Sequence, residues 1–544
     1  MEISTVGRPR NVGWVRAAAL LYGDWGTSKA YVIGLAVFAV GFAALPHLLA
    51  VCAVTGLVGI NYIWICKHFP NGGGVYTSAG LHSRRLAAIG GLLLLADFIV
   101  TASLSCLDAF HYLGIEDPIV AKKWAIITIF LIGAVNFLGP KHTGGIAVWL
   151  AAPTIAIVAV LIAGGVPHLA QFHAKPPTGT VWNNWTTFVD MILALSGVEV
   201  AASSAGVLRL DPGSTPEKPS VLVTARRAIL IVMIDVVVGT ALLSVLAMCL
   251  PGAAMVHQND MLRYMGTVFL GPRFGTVVGW VFGLLLISAV NTAITGMVAL
   301  LYVMAHDGEL PEPFLQLNGF GVPWVALITA TVLPVLVLDL QDSVESLAAL
   351  YAIGVVGAIC INVGSCATAK NIVLKAHERI TMKLTFLVLA AVWITIAVSK
   401  LHALVFVSLV LIVGLGLREV TLRRRKAVAA RGVTAETPST AAAAAPVFLG
   451  QFILVAARGW TPALQFALEE TRVRGAQLLV LYIREVAVTI DMGGSNWRND
   501  PEAHKLFTRL EATASDLKVN KLYSVSDSPA DTIIDIAATF GVDT

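Results

Sequence analysis

An all-α polytopic membrane protein with a small α/β domain behind it is the architecture this sequence predicts, on three observations. Twelve long apolar runs fill residues 14 to about 418. The 544 residues are 57% hydrophobic and only 13% charged, with a mean hydropathy of +0.80, a balance few soluble domains carry. After the last run the pattern switches to short apolar strands alternating with helical stretches.

The runs, taken as segments one to twelve, fall at 17–44, 46–66, 86–113, 122–138, 143–166, 186–208, 226–250, 272–305, 322–339, 345–369, 382–399 and 402–417. Each has about the length a tilted transmembrane helix needs. The first follows a polar terminus with no small-residue cleavage site, so it reads as a span and not as a removable leader. Placing the N-terminus in the cytoplasm puts twenty-one Lys and Arg on inner loops and six on outer ones. That bias puts both termini on the cytoplasmic side of the cell's inner membrane. The six cysteines lie in or beside apolar runs without metal-ligand spacing, as buried small residues do.

The transmembrane domain is thus expected over 1–417. From 418 to 446 the chain is basic and then rich in Ala, Thr and Pro, the composition of a linker. Over 447–544 the pattern predicts strands at 448–456, 477–483 and 522–525, and helices at 462–474, 502–517 and 530–540. Such alternation means a parallel sheet. The chain ends after a helix, where another strand is expected, so the domain reads as shortened.

Ionisable side chains inside spans are costly and are functional candidates by default. Asp24 and Lys29 lie in segment one, Asp97 in three, Glu199 in six and Asp235 in seven. Segment one is interrupted by Gly23-Asp24-Trp25-Gly26-Thr27-Ser28-Lys29-Ala30-Tyr31. Irregular backbone at membrane depth persists only around a cavity or binding site. Asp97 and Thr101 are four apart and share a helix face, and Ser196 and Glu199, three apart, do the same. Tyr351 opens segment ten. Plainer roles stand beside these: Asp24 as a structural acceptor capping a broken helix, Tyr351 as an interfacial belt residue, Asp235 as structural or lipid-boundary, Asp190 as a solvated residue at an outer mouth. The set is more specific than any member, because its oxygens come from segments one, three, six and ten. Phe69 to Tyr76 lacks the Gly-Lys-Ser/Thr ending of a phosphate loop and reads as a flexible re-entrant or gating turn. His306 to Pro311 reads as a structural helix stop.

Phe69-Pro70-Asn71-Gly72-Gly73-Gly74-Val75-Tyr76, Ser196-Gly197-Val198-Glu199 and Met304 to Pro311 resemble the amino acid/polyamine/organocation transporter superfamily. That resemblance implies two inverted five-helix repeats (the LeuT-like arrangement) plus two helices, with substrate between broken helices one and six. Tyr22 to Ser28 with Tyr31, Asp97 to Thr101, Ser196 to Glu199 and Leu350 to Gly354 resemble KUP-type and KimA-type potassium importers. Lys29 stands where KUP proteins usually carry proline, and Ser196 where KimA-like chains tend to carry threonine. The tail resembles a universal-stress-protein-like domain, whose glycine-rich nucleotide loop follows a fourth strand that this chain does not reach.

The resemblance implies a non-enzymatic importer of potassium together with protons. Potassium is its substrate ion and the proton its coupling ion, with no further cofactor. Asp24, Tyr31, Asp97, Thr101, Ser196 and Tyr351 would line the ion path, with Asp24 and Asp97 as the potassium-ligating carboxylates. Glu199 would carry the coupling proton. A homodimer through the tail, a lipid bilayer and no nucleic acid are the expected partners. The rival is an amino acid or amine permease, in which Lys29 would pair with Asp24. A third class is a transporter-shaped sensor signalling through its tail.

Overall fold

In a computed structural model, residues 10–430 and 452–542 are described, apart from 73, 140–142, 196, 216–217, 342, 487–496, 515 and 541. Among them ten helices are long and apolar enough to cross a membrane, and they coincide with segments one to five, seven, eight and ten to twelve. Segment nine is the shorter apolar helix Trp324–Leu340, which contains Pro334. Segment six departs from expectation. It is a chain of short pieces: the helix Val181–Asp190, a tight turn Ile192–Leu195, the one-turn helix Glu199–Ser203 and a further tight turn Ser204–Val207.

Segments three and ten form the centre, each with 89% of its apolar window buried, whereas segment twelve has 17% and belongs to the periphery. Local sequence sets where these central helices start. Ser83 caps segment three by accepting from the Leu86 amide at 3.1 Å, and Ser343 caps segment ten by accepting from Ser346 at 3.1 Å. Such caps satisfy amides that otherwise lack a partner inside the helix. All six cysteines are buried and free, as their sequence setting predicts.

One expectation is narrowed and one corrected at the cytoplasm-assigned ends. The glycine-rich stretch turns at 70–71, and Gly74–Gly80 after it is a short helix. The Tyr76 hydroxyl at its start donates to Asp307 at 3.0 Å, tying it to the stop that ends segment eight. The basic stretch from Arg418 does not leave the helix, because segment twelve runs as one helix from Leu401 to Ala430. Arg418 pairs there with the buried carboxylate of Glu309. The rest of the expected linker lies outside the described residues.

Among the described residues the tail has three parallel strands, β1 (Phe452–Ala456), β2 (Gln477–Glu485) and β3 (Val519–Ser526), in the order β1-β2-β3. Helices Pro462–Arg474 and Pro501–Thr513 cover one face through Leu464, Leu468, Leu506 and Phe507. Helix Pro529–Phe540 covers the other through Ile536. The tail rests on the membrane part: Val486 and Val525 join the packing of the large core, and Asn11 donates to Asp531 at 3.3 Å.

Candidate functional site

The interruption of segment one is tighter than its sequence suggests. The helix Trp14–Trp25 stops and Ser28–Val40 starts, while Gly26 and Thr27 keep right-handed helical angles. The hydroxyl of Thr27 donates to the Asp24 carbonyl at 2.6 Å, and that of Ser28 to the Trp25 carbonyl at 2.8 Å. Short hydroxyl side chains compete in this way for carbonyls of the preceding turn. The carbonyls of Asp24 and Trp25 at this break are thus already hydrogen-bonded.

The wider interruption is in segment six, and Gly197 explains how it meets segment one. Its φ of 85° suits glycine, and a β-carbon there would overlap the Trp25 backbone and lie 2.8 Å from the Asp24 carbonyl carbon. The helix that Glu199 begins starts two residues after Gly197. Ser196 itself lies outside the described residues. On the opposite wall Gly354 of segment ten lets its backbone approach the Asp97 amide, where a β-carbon would sit 2.9 Å away.

Around these contacts the remaining candidates converge. Asp24, Tyr31, Asp97, Thr101, Glu199 and Tyr351 are all buried. Asp97 and Glu199 bring their carboxyls close enough to act on each other, with Asp24 within electrostatic reach of Asp97. Tyr31, Asp24, Asp97 and Glu199 all act on the Tyr351 hydroxyl. Thr101 donates to the Asp97 carbonyl at 2.9 Å, as their shared face predicts. The Gly197 amide donates to Glu199 Oε1 at 3.1 Å. Asp97 Oδ2, Glu199 Oε2 and the Tyr351 hydroxyl have no protein partner among the described residues. Three buried oxygens left this way are costly unless something else satisfies them. Tyr351 is thus buried among these groups and not part of an interfacial belt. Among the described residues no group of three or more His, Cys, Asp or Glu side chains could hold a resident metal ion.

Lys29 is partnered by Asp235, which gives Asp235 a structural role. Fully buried Lys29 forms an ion pair with Asp235, and its ammonium also donates to the Tyr22 hydroxyl at 3.2 Å. Asp235 opens a π-helical turn, Asp235–Gly239, in segment seven, and the widened turn directs its carboxylate at segment one. Its partner lies 206 residues away, so helical spacing could not reveal it. Lys29 does not pair with Asp24. Asp190 is 43% exposed and pairs with Lys400 at 3.3 Å, so it is both solvated and partnered.

Sequence reasoning also missed a polar cluster on the tail side of Glu199. Tyr62 lies within electrostatic reach of Glu199, accepts from Asn362 at 3.1 Å, and Asn362 in turn accepts from Ser78 at 2.7 Å. Asn362 follows Tyr351 by eleven residues, three turns along one face of segment ten. That spacing was available in the sequence.

Apolar spans around buried acidic and hydroxylic side chains describe a membrane-embedded protein, and the family match makes it a secondary transporter, not an enzyme. The amino acid permease family pattern matches residues 12–457, and the chain belongs to that family. Its relatives divide by name. It is 25% identical over 257 residues to a Schizosaccharomyces pombe protein named "Probable amino-acid permease", covering 44% of this chain and 48% of that one. It is 25% identical over 369 residues to the potassium transporter KimA of Bacillus subtilis, covering 63% and 58%. It is 22% identical over 384 residues to the "Probable potassium transport system protein Kup 3" of Sinorhizobium medicae, covering 64% and 58%. The chain thus spans about half the length of the curated relatives it matches.

Proposed function

We propose that the protein carries potassium inward together with protons, through a twelve-segment arrangement of two inverted five-helix repeats plus two helices. The observation that carries this reading is the charge of the buried cluster. Its carboxyl groups Asp24, Asp97 and Glu199 are all acidic, and the cation beside them, Lys29, is held by Asp235. A cluster of that sign attracts a cation and opposes a substrate carboxylate. Oxygen ligands from carboxylates and hydroxyls replace the water a potassium ion sheds.

Coupling follows from the carboxyl pair. Two buried carboxyls this close do not both stay ionised, so Asp97 and Glu199 hold a single proton between them. With that proton present, Asp24, Asp97 and the Tyr351 hydroxyl share the potassium ion, and Tyr31 and Thr101 line its path. Once the ion has moved inward, Glu199 releases the proton toward Tyr62 and Asn362, and the emptied site is reset by taking up the next proton. The membrane potential adds roughly 2.3 kcal/mol per charge for every 100 mV. The tail serves as a universal-stress-protein-like cytoplasmic module.

The rival reading, an amino acid permease, draws on the family pattern and the fission-yeast relative. Potassium flux into liposomes, with and without a pH gradient, tests the choice. Wild-type protein should take up potassium faster with acid outside, and Asp24→Asn should lower uptake by about tenfold or more. Well-folded protein that moves labelled amino acids but no potassium would assign it to the permeases.

A further inference from the structure

A cavity of about 460 Å³ opens at the face opposite the chain termini, which the charge bias assigns to the outside. It is walled by the end of segment three, the loop after it, the chain before residue 261 and the start of segment ten, and its polar lining includes His111, Glu116, His257 and Asp260. One helical turn inward from His111 sits Asp108. It has no exposed surface, and neither of its carboxyl oxygens has a protein partner among the described residues.

The position of Asp108 along segment three gives it meaning. Asp97, Thr101, Ser105 and Asp108 follow at intervals of four, four and three, so they form one oxygen-bearing stripe on a single face. All four are buried. The stripe rises about 16 Å, three helical turns, from the carboxyl pair toward the cavity. Tyr112, one turn beyond Asp108, donates to the Ala30 carbonyl at 2.6 Å and so anchors this end of the stripe against the second half of segment one.

Resting on the proton-coupled reading above, we propose that Asp108 is the external entry carboxyl, which takes the coupling proton from the cavity and passes it along the segment-three stripe to Asp97. No covalent chemistry is involved: the proton leaves a cavity water, occupies one Asp108 oxygen and departs inward. The charged and titratable groups around it come from both sides. On the crossing segment Asp260 acts on Asp108 directly, and it is itself held by His257 at 2.8 Å and Arg263 at 3.7 Å. His111 and Tyr112 flank Asp108 on its own helix, and Glu116 and Lys122 face the cavity from the start of segment four. A lone unpartnered carboxyl has too few oxygens around it to strip a potassium ion of water, whereas a proton needs only the carboxyl itself.

The test uses the full chain in liposomes. Asp108→Asn should lose pH-gradient-driven potassium uptake by about tenfold or more, flatten its dependence on external pH, and retain potassium exchange without a gradient. Asp108→Glu should restore the pH dependence. Wild-type uptake and pH profile in Asp108→Asn would overturn the proposal, and so would equal loss of uptake and exchange, which marks a structural residue. Infrared difference spectra on a pH step give a readout independent of substrate. Beside the bands of Asp97 and Glu199, one protonated-carboxyl component should be present in wild type and missing in Asp108→Asn, and wild type and variant spectra without that difference would overturn the assignment even if potassium transport holds. If wild type shows that band but moves no potassium, the potassium reading fails and this one stands.

Discussion

Lys29 shows how a single buried charge is reassigned by its neighbour. An ammonium beside an ion path would repel a cation, but pairing with Asp235 cancels its charge within the wall between segments one and seven. Removing one member of a buried pair leaves the other uncompensated, at a cost of about 3–5 kcal/mol. Lys29→Met should therefore lower the thermal stability of the detergent-solubilised protein sharply, and adding Asp235→Leu should recover much of the loss. A double variant as unstable as the single one would mean that the pair is not what Lys29 contributes. Asp108 makes the complementary point. A buried carboxyl without a protein partner is a candidate for proton traffic because nothing else in its surroundings accounts for it.

Helix ends carry the architecture around the buried cluster. Segment one is interrupted over only two residues, where Thr27 and Ser28 satisfy the carbonyls of the preceding turn. Segment six needs a wider interruption, with Gly197 in a conformation other residues avoid. At the tail-side end of segment eight, Asp307 locks the helix Gly74–Gly80 through Tyr76. Burial opposes ionisation of Asp307, but hydrogen bonds from His306 and Tyr76, with Arg84 nearby, outweigh it and hold its carboxyl below the usual value. A carboxyl with a depressed folded pKa stabilises the protein above its ordinary titration, near pH 4, and that stability is lost as pH falls through the depressed value. Thermal stability should therefore fall more steeply below about pH 4 in wild type than in Asp307→Asn. Parallel acid profiles for the two would show that the lock contributes nothing.

Across the entire chain, the tail and the membrane part are one packed assembly on the side that holds both termini. Val486 and Val525 enter the large core, and Asn11 reaches Asp531. Asn11→Cys with Asp531→Cys should form a disulfide under mild oxidation, and because the six native cysteines are buried they should not compete. A cross-link within one chain, seen as a mobility shift without dimer, is the expected result on denaturing gels. A covalent dimer would instead place each tail under a partner copy.

Hydrophobic runs, helix caps and strand-helix alternation were legible because each is written in neighbouring residues. They placed ten of twelve segments as long helices and all three tail strands. Asp24, Asp97, Glu199 and Tyr351 were legible as candidates because polar groups at membrane depth are expensive wherever they occur. Which of them touch was not legible. The Lys29–Asp235 pair, the proximity of Asp97 to Glu199 and the close approach of Gly197 to Trp25 join residues far apart along the chain. Local periodicity carries no information about such distances. They arise only when helices pack, and glycines decide how near one backbone comes to another.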